Sequence, residues 1–388
     1  MALAESPQRS AAPPAPKPGS DAAPAALKPA SDAALSRIRG AAAGTAGAPA
    51  WLQTLHPATV LVAVLLLIMP AIASDFVLIQ IFAWSYMLGT VALSLVFLAG
   101  YGGMVSLAQM TLAGFAGYVV AILGVNGVPG GMGWPWWVIA PIAVILTMIF
   151  GALIGALAVR TEGIYMIMIT LAIAAAFYYF TNQNYAIFNG HTGIDGIPTP
   201  HFLGLDWHAP VPFYYLTLAV AVLCWQAVSY VARAPFGLAL QGIRDNPRRM
   251  AALGFNVNAH RVAAYVFAAL ISALGGILLV WSYGEIAPGT VSVSAAIDIL
   301  VIAVVGGLGS PIGPFIGALI YAVLKTFAFD VLVAIGLDGA RFRLLIGLGF
   351  LIVVFFSPDG VIGLWRRWRR RRDKAGERRE RAAGSRHG

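Results

Sequence analysis

The chain has 388 residues, 59% of them hydrophobic and only 11% charged, with a formal net charge of +9. A soluble domain carries about 25% charged residues, so a globular water-soluble enzyme is excluded. The positive charge does not point to nucleic acid, because the arginines cluster in one central loop and in the last residues, with no nucleic-acid fold signature around them.

Residues 1–50 are rich in Ala, Pro and Ser and show no helical period. They lack an apolar core followed by a cleavage site, so they read as a disordered tail and not as a signal peptide. Apolar segments follow at 57–74, 76–99, 104–125, 136–158, 164–182, 212–232, 262–283, 294–308, 312–329 and 341–357. About 20 apolar residues suffice to cross a bilayer. The pattern therefore predicts an all-α polytopic membrane protein of about ten transmembrane helices, the eighth of them short. The expected organisation is a tail at 1–50, a transmembrane domain at 51–365 and a basic tail at 366–388. Cys224, the one cysteine, lies in an apolar run, which leaves no disulfide framework or thiolate metal site and predicts a buried, inert thiol.

The basic residues test the helix count. With the N-terminus inside, Arg9, Lys17, Lys28, Arg37, Arg39, Arg160, Arg233, Arg244, Arg248, Arg249, Arg261 and every Lys or Arg from Arg366 onward fall on the cytoplasmic side. The loops expected outside, 126–135, 183–211 and 284–293, hold none. This asymmetry places both termini in the cytoplasm. Of the three exceptions, Arg341 and Arg343 can snorkel to the interface. Lys325 lies inside a span, where an unpaired ammonium costs about 2.5–3.5 kcal/mol, and its candidate partners are Asp298 and Asp330. The C-terminal run with Trp365 and Trp368 is expected to lie against anionic membrane lipid.

The stretch from Arg233 to Arg261 is the longest basic interruption between apolar runs, and it mixes arginines with Leu238, Leu240, Ile243, Met250, Ala252, Leu253 and Phe255. Pro235 and Gly237 mark a turn out of the preceding span. Asp245 or Asn246 before Pro247 is a helix start signal, and Gly254 followed by Asn256 is a stop signal. A short amphipathic helix is predicted, and it must bury its apolar face against lipid or a partner protein. The cap signals favour a docking helix over a loop whose arginines only set topology.

Two glycine-rich stretches stand out. The first, 100–122, contains Gly102 and Gly103 and then Ser106, Gln109 and Thr111; the second, 304–321, contains Gly306, Gly307, Gly309 and Gly313. Such residues permit broken helices at membrane depth and close helix approach, as do the GxxxG pairs Gly151/Gly155 and Gly313/Gly317. Neither stretch matches a dinucleotide or Walker loop, so no nucleotide site is expected in this chain. His191, His201 and His208 lack zinc-site spacing, so no metal is expected, and no catalytic triad or carboxylate pair is assignable.

The ordered motifs RTEGIYMIMITLA (160–172), NGHTGIDGI (189–197), the block 229–278, VVGGLGSPIGPFIGA (304–318) and FFSPDGVIGLW (355–365) resemble the membrane permeases of branched-chain amino-acid ABC importers of the LivM type. The resemblance covers about residues 75–365. It implies a non-enzymatic permease subunit in the bacterial inner membrane, working with a second, homologous permease, cytoplasmic ATPase subunits that bind the ATP, and a periplasmic substrate-binding protein. It further implies that Arg244 to Gly254 form the helix that couples to the ATPase, with Arg244, Asp245, Asn246, Arg248, Arg249, Ala251, Ala252 and Gly254 in contact. The chain departs from the general coupling signature in having no glutamate before Ala251 and in an early glycine. Ser106, Gln109, Thr111, Tyr165 and Thr170 are the expected lining of the translocation path. The same transporter type for urea, short amides or other amino acids is an alternative, as is an ion-coupled carrier or channel. A carrier would place acidic residues mid-span, where only Asp298 comes near.

Overall fold

The computed structural model describes residues 57–125, 132–197, 199–202, 205–207 and 209–334, together with Gly360 and Gly363. The tails at 1–50 and 366–388 and the expected span 341–357 lie outside the described residues. From Leu67 onward the described residues form one compact unit, and all contacts below lie within it; the residues before it belong to a separate unit.

The described residues are helical apart from short connections and a minimal hairpin, His201–Phe202 paired with Leu205–Asp206. In chain order the main helices are α1 (Pro57–Ile72), α2 (Asp75–Tyr101), α3 (Gln109–Gly124), α4 (Trp136–Ala158), α5 (Ile164–Gln183), α6 (Pro210–Arg233), α7 (Pro235–Asp245), α8 (Pro247–Ala252), α9 (Val257–Tyr283), α10 (Val293–Gly306) and α11 (Gly313–Ala334). Of these, α2, α4, α5, α6 and α9 are long and apolar enough to cross a membrane unaided. The 16 residues of α3 and the 14 of α10 are too few: at about 1.5 Å per residue they fall short of a hydrocarbon core about 30 Å thick. The span expected from 104 begins instead at Gln109, because residues 103–108 are not helical.

Helix α2 is the axis of the unit. Every residue from Ser85 to Val96 is buried, as expected of a helix apolar on all sides and surrounded by others. Helices α9, α10 and α11 lie against it, and α3 fills the space beside α9. By contrast α4, α5 and α6 each bury one stripe. In α5 it is Met166, Thr170, Ala174, Phe177 and Thr181, and in α4 it is Ile139, Ala143, Thr147, Gly151, Ile154 and Ala158. Their opposite faces carry exposed Leu153, Leu157, Met168, Phe180 and Leu223, as a lipid-facing surface requires.

Small residues set how closely the axis is wrapped. A Cβ on Gly276 of α9 would overlap the Ala113 carbonyl of α3, and one on Gly275 would lie 2.7 Å from Val91 Cγ2 of α2. The GxxxG pair of α4 meets α9 in the same way, with Gly155 over Tyr265.

The connections before and after α9 lie at opposite ends of the unit. Arg261 at the start of α9 pairs with Glu162 before α5 at 3.5 Å, while at the other end Ile194 bridges Ile286. Replacing Gly276 with Val is expected to destabilise the protein by at least about 2 kcal/mol, the scale of an overpacked core. Gly309→Ala, which enters open space, should stay within about 0.5 kcal/mol. Thermal unfolding of the purified protein checks both.

Candidate functional site

The central basic stretch folds as two helices, which corrects the expectation of a single helix across Arg244–Gly254. Pro235 does not end a turn; it occupies the first helical position of α7, and the chain breaks at Asn246, whose backbone is extended. The physical reason is local. Pro247 disfavours helical backbone at the residue before it, and the Asn246 side chain then caps α8 by accepting from Arg249 N at 3.0 Å. Gly254 closes α8 with φ +91°, and Phe255 N reaches back to Met250 O at 3.1 Å, a Schellman-type end.

The two helices face different ways. Helix α7 buries Gly237, Ala239, Leu240 and Ile243 against the unit. Helix α8 buries nothing: Arg248, Arg249, Ala251, Ala252 and Gly254 are exposed, as is the apolar Leu253 at 68%. Asp245, between them, is exposed and pairs with Arg244 at 2.9 Å. Arg244, itself exposed, reaches back to the unit, its guanidinium donating to the Gly100 carbonyl at the end of α2.

That contact lies where both glycine-rich breaks meet. Gly103 has φ +67°, and a Cβ there would sit 2.6 Å from Arg244 Cγ. Gly102 faces Leu240 of α7, and a Cβ on Gly100 would overlap the Leu308 carbonyl of the second break. In the second break Gly307 has φ +106°, and the backbones of Gly306 and Gly313 touch, while Gly309 faces open space. The sequence reading singled out Gly102, Gly103, Gly306, Gly307, Gly309 and Gly313 but missed Gly100 and Leu308. Nothing in the sequence says that residues 208 positions apart abut.

The polar residues expected to line a path divide. Ser106, Gln109, Thr111 and Thr170 are at most 1% exposed and fasten the start of α3. Leu107 N donates to Thr170 Oγ1 at 3.1 Å, Ala108 N to Ser106 Oγ at 3.3 Å, and Ser272 Oγ to Gln109 O at 2.6 Å. Ser94 Oγ lies 2.8 Å from the Gln109 amide oxygen and 2.6 Å from Val91 O, with a single proton for the two. With the amide turned over, Gln109 Nε2, otherwise partnerless among the described residues, donates to Ser94, and Ser94 donates to Val91. Thr111 Oγ1 has no partner among the described residues. Tyr165 stands apart: it is 67% exposed, five residues before Thr170 and so roughly 140° round the helix from it.

At the opposite end, Lys325 Nζ lies 4.3 Å from the centroid of the Trp84 ring. Of its two candidate partners, Asp298 acts on it electrostatically and shares a cavity wall with it. The Asp330 side chain lies outside the described set. Among the described residues no three His, Cys, Asp or Glu side chains come together as a metal site.

Residues 77–354 match the sequence family described as branched-chain amino acid transport system, permease component. The chain is 23% identical over 299 residues to the high-affinity branched-chain amino acid transport system permease protein LivM of Escherichia coli (strain K12), covering 71% of this chain and 66% of that protein. It is 28% identical over 134 residues to LivH, named as a permease of the same kind of system in the same organism, covering 34% and 42%. It is also 28% identical over 117 residues to the nucleoside ABC transporter permease protein NupC of Lactococcus lactis subsp. cremoris, covering 29% and 35%. The chain thus spans about two thirds of the length of LivM. No solved structure matches it.

Gly103→Ala is expected to destabilise the chain by about 1–2 kcal/mol for its left-handed backbone alone, plus a further loss from collision with Arg244. In an Arg244→Ala background the further loss should vanish. A double-mutant cycle of thermal stabilities reads the difference.

Proposed function

The chain belongs to the family of branched-chain amino acid transport permease components, and on that premise we propose that it is the permease subunit of an ATP-binding-cassette importer. Its cargo is branched-chain or other apolar amino acids, carried across the bacterial inner membrane. The chain itself binds no cofactor; ATP is bound and hydrolysed by separate cytoplasmic ATPase subunits. A periplasmic binding protein delivers the cargo, and a second, homologous permease completes the pathway. The likeness of this chain to both LivM and LivH supports that second permease. The end carrying α7 and α8 is cytoplasmic, with both termini, by the distribution of Lys and Arg.

One observation carries the coupling: the exposed helix α8 is joined through α7 and Arg244 to the Gly100 carbonyl, where the two helix breaks touch. An ATPase that seats α8, by its exposed Arg248, Arg249, Ala251, Ala252, Leu253 and Gly254, moves α7 with it. Arg244 hands that movement to the end of α2 and the start of the 103–108 break. Coupling between distant sites needs an element with two discrete arrangements, and breaks closed by a few glycine contacts form such an element. Ser106, Gln109, Thr111 and Thr170 face the path only in the other arrangement, since here they are sealed between helices. Tyr165 is free to face lipid or the second permease.

A second reading, nucleoside cargo, is favoured by the match to NupC. Uptake into proteoliposomes holding the complete importer separates the two: ATP-dependent leucine accumulation is expected, and uptake that follows an ion gradient without ATP would overturn the importer reading. Leu253→Asp should leave the permease inserted but abolish co-purification of the ATPase. Arg244→Ala should retain the ATPase and lower leucine uptake at least tenfold; unchanged uptake would remove Arg244 from the coupling route.

A further inference from the structure

The end of the unit remote from α8 holds a cavity of about 320 Å³ that the coupling scheme does not use. It lies among α2, α3, α9, α10 and α11 and the turn that follows α9. Pockets for small ligands run from about 300 to 1,000 Å³, so this one suits a single small molecule. Its lining is chemically divided. Leu88, Met110, Leu279 and Ile299 are apolar, and the rim carries Lys325, Asp298 and Glu285 beside Trp84.

A cation and two carboxylates meet at the mouth of one small, otherwise apolar space, with Lys325 and Glu285 exposed and Asp298 half-buried. Neutral cargo such as urea or an amide gives no reason for opposed charges. A free amino acid gives that reason, because it carries one carboxylate and one ammonium on a single carbon. From this we infer that the cavity is a subsite for the zwitterionic head of an amino acid. Lys325 takes the carboxylate, Asp298 and Glu285 take the ammonium, and the apolar wall takes an aliphatic side chain. The inference rests on the importer reading and adds to it that the permease inspects its cargo independently of the binding protein.

Position supports the assignment. Glu285, Ala287, Gly289 and Thr290 of the loop after α9 line the cavity, and that loop is on the side that lacks basic residues. It is therefore the face to which a binding protein would deliver. Trp84 also immediately follows a π-helical turn, Leu78–Ala83, and such turns frequently occur at functional sites. The ammonium of Lys325 over its ring is an arrangement in which the ring face attracts a cation in low dielectric. A carboxylate entering the cavity meets this ammonium as a donor already held in place.

The test uses the complete importer in proteoliposomes with its binding protein saturated with radiolabelled leucine. Lys325→Met, which keeps the length of the side chain and removes its charge, should lower the initial uptake rate at least tenfold, and Lys325→Arg should restore most of it. Co-purification of the ATPase reports that each variant is folded. If Lys325→Met fails that control, Glu285→Gln at the exposed rim decides, with a loss of at least threefold expected. Uptake equal to wild type in a folded Lys325→Met, or failing that in Glu285→Gln, overturns the subsite and leaves the importer reading standing. A wild-type complex that moves no amino acid overturns both.

Discussion

The last carbonyls of a helix have no donor within it, and each must find one elsewhere. The end of α2 meets this constraint in two ways. Met104 N turns back to Leu98 O at 3.0 Å, and the Arg244 guanidinium takes the Gly100 carbonyl. The second donor comes from a helix 144 residues further along the chain. Backbone satisfaction at the first break is thus tied to the position of the basic loop, and the second break is tied to the first where Gly100 abuts Leu308. The glycines let the two breaks approach to backbone contact.

Helix α2 also joins the two ends. Trp84, on the outer cavity, and Gly100, under Arg244, are about 24 Å apart at 1.5 Å per residue. Each lies in or beside a π-helical turn, Leu78–Ala83 and Phe97–Tyr101. Between them every side chain from Ser85 to Val96 is buried. In the proposed scheme an occupied cavity at one end and a seated ATPase at the other bias the same element.

Much of this was legible beforehand. The expected spans 136–158 and 164–182 coincide with α4 and α5 to within a residue, because hydropathy reports on lipid directly. Asn246, Pro247 and Gly254 mark the ends of α8 where their cap chemistry places them. The buried stripes of α4, α5 and α6 were not legible. In water a helix shows its core face by contrast with a polar one, but here the exposed face is apolar too, with Leu153 and Met168 beside lipid. Only the small and hydroxylated residues, Gly151, Gly155, Thr170 and Thr181, mark the inner side. The implied helix Arg244–Gly254 ran too far toward the N-terminus, because Arg244 and Asp245 close α7 and the helix that follows starts only at Pro247.

By itself the sequence determined the all-helical membrane class, the long spans such as 136–158 and 164–182, and the family resemblance, because each is written in local runs of residue type that need no partner. The tertiary structure alone decided which residues act together. Arg244 with Gly100, Gly100 with Leu308, Ser94 with Gln109, and Lys325 with Trp84 are pairings made across the bundle. No local pattern encodes them, since they follow from how closely glycine-lined helices can approach once all of them are in place.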